Sequence, residues 1–502
     1  MDGPLLTIDR EDERPLGVQL VDGLRRGILS GRLRTGDPLP STRALAAELG
    51  VARSSVVAAY DQLAGEGYLE VRQGAPTRVA PLAMPPAPPT RTPGSTVVAG
   101  AGPGAPATSA GTGLATAGTG PRATVDLRPG RPSTARLDER AWRAAWRAAA
   151  RRPVPDDTAP DFGAPRLRAE IAEHLRHARG VTCSPDDVVV TAGTSDAVAL
   201  LATALRILVD GTPRVAVEHP GYPSARRVLV RRGALETVAV PVDRDGIEVG
   251  ALRGIRPAPH AVLLTPSHQY PLGGRLPVAT RLAVLEWAEA SDALVFEDDY
   301  DSEFRHVGPP LPALASLDRS GHAVLLGSFS KVLTPWLRLG YLVLPANPAL
   351  REAVAAARDD ETCPVPGIAQ AAMAELLSTG AVRRHIAAAK RDYAHRRSLV
   401  IEALDGIDGA PLSGLDGGLH AVVGLASAGA SARVVGRLAD AGILVAPLAD
   451  YSAVPGEGPS GIVLGYASPP DAQLAGALAH VRAAVEHALR PGTSHAAPTA
   501  LA

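Results

Sequence analysis

The sequence predicts an α/β fold for most of the chain, preceded by a small, mainly helical unit. Residues 125–490 alternate short runs rich in Val and Leu with amphipathic helical stretches, which is the pattern of a mainly parallel sheet covered by helices. Residues 1–80 carry helical stripes followed by two short strand patterns. Residues 81–124 consist almost entirely of Pro, Gly, Ala, Thr, Ser and Val, and cannot bury enough surface to fold. We therefore predict two folded units joined by a flexible linker over residues 81–124, and a disordered tail over residues 491–502.

The composition excludes several classes of protein. The 502 residues are 46% hydrophobic with a net charge of −1, so a sizeable core is available and no global basic field attracts nucleic acid. The two cysteines, Cys183 and Cys363, fit no metal spacing and favour a reducing cytoplasm over a disulfide framework. The N-terminus lacks the apolar core of a signal peptide, and no run of about 18 apolar residues predicts a membrane span. We expect a cytoplasmic protein that binds no metal and no membrane.

The first unit has the element order of a winged helix-turn-helix domain. A helical stripe over residues 18–30 precedes a second helix, for which Ser41 is a good N-cap and Gly50 a good end. A third helix begins near Val51, and two short strand patterns follow up to Val79. The order helix, short helix, helix and two-stranded wing predicts a DNA-binding domain.

Basic residues are concentrated in one part of this unit. Between residues 25 and 53 there are six arginines and two acidic residues. Backbone N–H groups at helix N-termini also favour phosphate. We therefore predict DNA contacts from the starts of the second and third helices, by Ser41, Thr42, Arg43, Arg53, Ser54 and Ser55. The alternative is a small helical interaction domain that binds no DNA.

The sequence of this segment closely resembles the DNA-binding domains of the GntR family over about 65 residues. The matching stretches are residues 15–20, 36–46, 56–60 and 63–69. The resemblance implies that Arg43 and Arg53 contact operator DNA, with Ser54 beside them. The wing departs from the family pattern, because residues 74–77 read Gly-Ala-Pro-Thr where a Gly-Ser-Gly-Thr-like turn is usual, and Pro76 removes one backbone donor.

The second unit contains a lysine whose place suggests chemistry. The chain has only two lysines against 49 arginines. Lys390 lies on a charged helix face, where a solvated side chain explains it. Lys331 follows the apolar run 323–326 and a tight, hydroxyl-rich turn, at the end of a predicted strand. Because an amine can lose its proton and attack a carbonyl whereas Arg cannot, Lys331 is a candidate Schiff-base residue.

The natural partner of such a lysine is pyridoxal 5′-phosphate (PLP), which needs a phosphate cup, an anion at its pyridine nitrogen, a donor at its 3′-oxygen and an aromatic surface. The turn and helix start at residues 193–195 offer N–H groups and hydroxyls for the phosphate. Asp298 would hold the pyridinium proton, and Tyr300 would donate to the 3′-oxygen. These segments all follow predicted parallel strands, where ligands bind in open α/β sheets. The predicted cofactor residues are Gly193, Thr194, Ser195, Tyr222, Asp298, Tyr300, Ser328, Ser330, Lys331 and Arg338.

The second unit resembles the fold-type I aminotransferases over about 365 residues. The motifs that carry the resemblance are residues 193–195, 298–300, 328–331 and 338–341. A winged helix, a linker and this domain together are similar to the MocR-type regulators. Residues 265–274 and 297–305 resemble sequence motifs of that branch. By resemblance, Lys331 forms the internal aldimine, Asp298 binds the pyridinium and Arg338 binds the phosphate.

Two departures from the aminotransferase pattern bear on function. Tyr270 stands before Pro271, where aminotransferases commonly carry Asn. No arginine lies between Arg437 and Arg482, where many of these enzymes place the residue that clamps the substrate carboxylate. A dedicated amino-acid carboxylate site is therefore unsupported near the C-terminus, which favours PLP itself as the signal.

We therefore predict a homodimeric transcriptional regulator that binds operator DNA and responds to PLP through Lys331. Genes of vitamin B6 or amino-acid metabolism are its expected targets. Two alternatives remain open at this point. One is a regulator that senses an amino acid or amine as an external aldimine, and the other is an active PLP-dependent aminotransferase with an appended targeting domain.

Overall fold

The computed structural model describes residues 6, 8, 16–29, 32–65, 68–70, 76–80, 125–308 and 311–490. The predicted linker and the predicted tail lie outside these residues. So do residues 71–75, which include the first half of the predicted wing turn.

The N-terminal unit has the predicted element order. It consists of α1 (Leu16–Leu29), α2 (Thr42–Leu49), α3 (Arg53–Gly65), β1 (Leu69–Glu70) and β2 (Arg78–Val79). The α2 helix begins after Ser41, whose Oγ accepts a hydrogen bond from the N–H of Ala44 at 3.1 Å. It ends at Gly50, which adopts the left-handed conformation that glycine tolerates best. Since β1 and β2 pair antiparallel, the unit is a winged helix-turn-helix.

The large unit alternates strands and helices, as predicted. Its strands are β3 (Val125–Asp126), β4 (Val188–Thr191), β5 (Arg214–His219), β6 (Glu236–Asp243), β7 (Gly246–Ile247), β8 (Ala261–Leu264), β9 (Leu294–Asp299), β10 (Ala323–Ser328) and β11 (Gly340–Val343). Its helices are α4 (Glu139–Ala150), α5 (Pro165–Arg179), α6 (Thr194–Leu208), α7 (Pro223–Arg231), α8 (Val249–Gly254), α9 (Val278–Ser291), α10 (Leu314–Leu317), α11 (Pro348–Glu361), α12 (Gly367–Ser378) and α13 (Ala381–Leu404).

Eight of these strands form one sheet, in the order β4-β11-β10-β9-β8-β5-β6-β7. The neighbours β10-β9, β9-β8, β8-β5 and β5-β6 are parallel, whereas β11 and β7 run antiparallel to their partners. The core strands are buried over nearly their whole length, as expected for a sheet covered by helices on both faces. The predicted α/β class with a mainly parallel sheet is therefore confirmed. The carboxyl ends of β4, β5, β8, β9 and β10 share one edge.

A smaller C-terminal unit packs beside this edge. It consists of β12 (Leu412–Ser413), β13 (His420–Gly424), α14 (Ala428–Asp440), β14 (Ile443–Leu444), β15 (Ala446–Pro447), β16 (Gly461–Gly465) and α15 (Asp471–Leu489). Its antiparallel sheet has the order β12-β13-β16-β15, and β14 pairs in parallel with β3. The 24-residue α13 leads into it from the large unit.

Buried apolar side chains also connect the N-terminal unit with the large unit. One continuous cluster of buried residues contains members of both. Among them are Leu20, Tyr68 and Val79 from the first unit and Leu285, Trp287 and Leu317 from the second. Within the described residues, no helix combines the length and the apolar character that crossing a membrane requires.

Candidate cofactor site

The amine of Lys331 lies at the shared edge of the sheet, just after β10. Its Nζ donates a hydrogen bond to the carbonyl oxygen of Gly130 at 2.7 Å. Gly130 has φ +95°, a conformation that favours glycine, and a Cβ at this position would lie 2.8 Å from that Nζ. Burial lowers the pKa of Lys331, while Asp301 and Asp298 oppose part of that shift. An amine held in this way loses its proton more readily than a solvated lysine.

Asp298 offers an unused acceptor close to this amine. The residue lies on β9 and is buried, and its Oδ1 has no hydrogen-bond partner among the described residues. Burial and the neighbouring Asp299 raise the pKa of Asp298 to about 7, against the opposing effect of Lys331. Asp299 also has an unpartnered Oδ1, but its Oδ2 accepts hydrogen bonds from Arg179 Nε at 2.7 Å and from Ser302 Oγ at 2.8 Å. Asp298 therefore fits a cationic N–H donor such as a protonated pyridine nitrogen.

The other end of the site suits an anion. Gly193 has φ +81° and precedes α6, so the first N–H groups of that 15-residue helix, at Thr194 and Ser195, are not used within the helix. The guanidinium of Arg338 reaches this turn, and its Nη2 donates to the carbonyl oxygen of Ala192 at 3.0 Å. Arg338 is exposed, and its remaining nitrogens can bind a phosphate as a fork. In the turn that follows β10, Ser328 Oγ accepts a hydrogen bond from the N–H of Ser330 at 3.1 Å.

Aromatic rings form one wall of the site. Tyr222 lines a small cavity together with Asp298, and its ring lies edge-on to that of Tyr270, with 5.9 Å between the centroids. Tyr270 also lies 5.4 Å from the ring of Tyr300 and donates through its hydroxyl to Tyr451 at 3.3 Å. A flat heterocycle placed over Asp298 would thus have Tyr222 as an aromatic neighbour.

His268, Asp301 and His420 lie in this region but were not among the cofactor residues predicted from the sequence. The hydroxyl of Tyr300 lies 2.9 Å from His268 Nδ1, and Asp301 Oδ2 lies 2.8 Å from the same nitrogen. His420 Nε2 donates to the carbonyl oxygen of Pro271 at 2.9 Å, and burial followed by the charge of His268 lowers the pKa of His420 to about 4.

The ligand atoms of His268, Asp301 and His420 lie within 4.8 Å of one another, as in some metal sites. Each of these side chains already has a hydrogen-bond partner within the chain. His268 and Asp301 fall in stretches that resemble the MocR branch, so this resemblance could have indicated them as site residues. No pattern pointed to His420, which lies more than 100 residues away at the start of β13.

Glu218 is a further unpredicted residue, at the end of β5. Its Oε2 accepts a hydrogen bond from Thr265 Oγ1 at 2.7 Å, and the side chain lines the same small cavity as Asp298. Burial raises the pKa of Glu218 to about 7, although the bond from Thr265 opposes this shift. The pocket therefore holds two carboxyl groups that ionise near neutral pH.

The predicted DNA-binding residues lie together on the N-terminal unit. Arg43, Arg53 and Ser54 are exposed, and Thr42 and Ser55 are half-buried. Arg53 Nε donates to Thr42 Oγ1 at 3.4 Å, which brings the starts of α2 and α3 side by side. Ser41 is exposed, but its Oγ already accepts the capping bond within α2.

Two family models match the chain, each over one of its folded parts. Residues 16–79 match the model described as bacterial regulatory proteins, gntR family. Residues 129–481 match the model described as aminotransferase class I and II.

Curated proteins with both parts are similar over most of their length. The chain is 40% identical over 488 residues to the HTH-type pyridoxine biosynthesis transcriptional regulator PdxR of Corynebacterium glutamicum, covering 96% of this chain and 98% of that protein. It is 37% identical over 402 residues to the probable rhizopine catabolism regulatory protein MocR of Rhizobium meliloti, covering 79% and 78% respectively.

Solved aminotransferases share the fold of the large and small units. The α-aminoadipate aminotransferase LysN from Thermus thermophilus superposes with a TM-score of 0.65 at 26% identity, over 73% of this chain and 92% of that enzyme. An archaeal alanine:glyoxylate aminotransferase superposes with a TM-score of 0.66 at 23% identity, over 72% and 91%.

Proposed function

Because the chain belongs to the GntR family of bacterial regulatory proteins, in its MocR-type branch with an aminotransferase-like domain, we propose that it regulates transcription in response to PLP bound at Lys331. The observation that carries the proposal is that Asp298 in β9 and Lys331 after β10 act electrostatically on each other at the sheet edge, while Arg338, before β11, reaches the turn that precedes α6. The named relative of C. glutamicum regulates pyridoxine biosynthesis. We infer that genes of vitamin B6 supply are the targets here too.

The residues of the pocket divide the work of holding the cofactor. When bound, PLP supplies an aldehyde that condenses with a primary amine. Lys331 would present that amine, and Asp298 would accept a hydrogen bond from the protonated pyridine nitrogen. Arg338 and the N-terminus of α6 would neutralise the phosphate, with Ser328 at the end of β10 adding a hydroxyl. Tyr222 would lie beside the pyridine ring.

The signal must then reach the DNA-binding unit. The neighbours of Asp298 on β9 are buried charged residues: Glu297 accepts hydrogen bonds from the N–H groups of Leu314 and Ala315 at the start of α10, and lies 3.7 Å from Arg281. Tyr68 of the N-terminal unit in turn acts electrostatically on Arg281 and raises its pKa, against the larger lowering by burial. We propose that occupation of Asp298 shifts this packed region, and PLP acts as a switch only if it binds the two arrangements with different affinity.

DNA is bound through α2 and α3 in this proposal. The exposed Arg43, Arg53 and Ser54 face the operator, and two copies of the winged helix read two half-sites. A homodimer built by the aminotransferase-like units would supply that pair.

The test is binding of the purified protein to the DNA upstream of its own coding region, with and without PLP, for wild type and Lys331→Ala. We expect a PLP-dependent change of affinity in the wild type that the variant loses, together with the absorbance of lysine-bound cofactor. DNA binding that ignores PLP in both proteins would overturn PLP as the signal. Turnover of an amino acid with a keto acid, without DNA binding, would instead support the aminotransferase alternative.

A further inference from the structure

A second cluster of cationic side chains lies behind the wall of the cofactor site. A small cavity is lined there by residues of the loop after β9, of the large unit and of the turn before β13. Three arginines line it: Arg179, Arg275 and Arg305. None of them was predicted as a binding residue from the sequence.

Arg305 is the least satisfied of the three. The residue is 8% exposed, and its Nε donates to the carbonyl oxygen of Gly308 at 3.2 Å. Its Nη2 is buried and has no hydrogen-bond partner in the described part of the chain. Burial, followed by the charge of Arg275, lowers the pKa of Arg305 to about 10. A buried guanidinium with an unused donor is unfavourable unless an anion approaches it.

The guanidinium of Arg275 also lies close to Gly308, beside that of Arg305. A Cβ built on Gly308 would lie 3.3 Å from Arg305 Nη2 and 3.9 Å from Arg275 Nη1, so the two guanidinium groups converge. Arg275 makes a loose pair with Asp416, 3.3 Å from Nε to Oδ2, and both side chains are partly exposed, which leaves an entrance from solvent.

The third arginine is already satisfied. Arg179 donates to Asp299, to the carbonyl oxygen of Leu311 and to Ser267 Oγ. Its charge is balanced by Asp299 and it offers no free fork, so the unused donors are those of Arg305 and Arg275.

We propose that this cavity binds a small carboxylate anion between Arg305 and Arg275. A carboxylate is planar and has two oxygens, which match two converging guanidinium groups with short charge-assisted hydrogen bonds. A cation is disfavoured here, because the buried guanidinium of Arg305 lines the cavity with an unpartnered donor. The site lies outside the cofactor pocket, so it adds a ligand to the proposed function rather than replacing PLP.

The geometry also connects this cavity with the cofactor pocket. His268 and Asp301 line the cavity, and His268 Nδ1 contacts the hydroxyl of Tyr300. Asp301 also acts electrostatically on Lys331. An anion bound beside Asp301 adds negative charge on that side and favours the protonated forms of His268 and Lys331. The ligand is thus placed to modulate the cofactor pocket as well as to occupy its own site.

The proposal is tested by titrating the full-length protein with sodium acetate in a calorimeter, in buffer free of chloride, with inorganic phosphate as a second probe. We expect acetate to bind the wild type, and Arg305→Gln to weaken that binding about tenfold or more, since a charge-assisted bond is lost. The matched control is Arg384→Gln, an exposed arginine on α13 far from the cavity in sequence, which should leave acetate binding unchanged.

A second variant predicts a gain of affinity. Asp416→Asn removes the carboxylate that competes for Arg275, so acetate should bind several-fold more tightly than in the wild type. Because Asp416 is partly exposed, this variant keeps the proposal testable if Arg305→Gln does not fold.

Three results would overturn the proposal: no acetate binding by the wild type and Asp416→Asn, equal acetate affinity of Arg305→Gln and wild type, or Arg305-dependent binding of phosphate but not of acetate. The assay contains neither DNA nor PLP, so its failure is distinct from failure of the proposed function.

Discussion

The two functional regions of this regulator present their charges in opposite ways. In the N-terminal unit, Arg43 and Arg53 are exposed, so a phosphate backbone can approach them with little loss of hydration. In the cofactor pocket, the carboxyl groups of Asp298 and Glu218 are buried with pKa values raised to about 7, and the pKa of Lys331 is lowered. The exposed face is suited to binding that varies with salt, whereas the buried pocket holds unfavourable charges that a ligand relieves. A ligand that relieves such charges in one conformation more than in another shifts the equilibrium between the two conformations.

The largest effect is expected from removing the buried acceptor. Asp298→Asn keeps the size of the side chain but loses the charge that faces the pyridine nitrogen. We expect PLP affinity to fall about 10–100-fold, the range for a lost charge-assisted hydrogen bond. Absorbance titration with PLP measures this, and Asp186→Asn, at an exposed carboxylate of the same unit, is the control. An unchanged affinity would show that the buried carboxylate of Asp298 does not hold the cofactor.

The second prediction uses pH to test the buried carboxyl groups. The pKa of Glu218 is raised from 4.5 to about 7, so the folded protein binds this proton more tightly than the unfolded chain does. The free energy of unfolding of the cofactor-free protein should therefore fall as pH rises from about 4.5 through about 7. Glu218→Gln removes the contribution of Glu218 and leaves that of Asp298, and at pH near 8 the variant should be more stable than the wild type by at most about 3 kcal/mol.

Urea unfolding of both proteins at low and high pH measures this difference. Parallel pH profiles of the two proteins would show that Glu218 ionises like a solvated carboxyl group.

How much of the pocket the sequence could predict depends on where each residue lies in the chain. Asp298 and Lys331 were predictable because carboxyl ends of parallel strands share an edge, so a local pattern of strand and turn is enough to place them. The start of α6 at Gly193 follows the same logic. The overall class was predictable for the same reason, since each strand and helix has its own periodicity.

The unpredicted residues depend on packing between distant segments. Arg305 and Arg275 converge only because the loop after β9 and the turn before α9 fold against each other, and His420 reaches the site from the small unit. Arg305 falls in a stretch that resembles the MocR branch, but no local pattern shows that it converges with Arg275. The search for a carboxylate-clamping arginine considered only the segment between Arg437 and Arg482, so it could not reveal arginines brought together by the fold.

The exposed face gives the third prediction. Arg53→Ala should weaken operator binding by about 1–3 kcal/mol if Arg53 contacts a base. Electrophoretic or fluorescence titrations at several salt concentrations measure this, with Arg206→Ala, an exposed arginine of α6, as the control. If Arg53 contacts only phosphate, all sequences should be affected alike and the salt dependence should fall by about one ion. Equal affinities of the variant and the wild type would remove Arg53 from the interface.

The smallest expected effect concerns Ser41, which is both the N-cap of α2 and a predicted DNA-binding residue. Its Oγ accepts the N–H of Ala44 as the N-cap of α2, so Ser41→Ala should destabilise that helix by about 1 kcal/mol. Hydrogen exchange of the α2 amides should then be about fivefold faster. Ser41→Asn keeps a neutral cap and should restore the exchange rate. If it also restores operator affinity, Ser41 acts by holding α2 in place, whereas normal exchange with weak DNA binding would show that the hydroxyl itself contacts the operator.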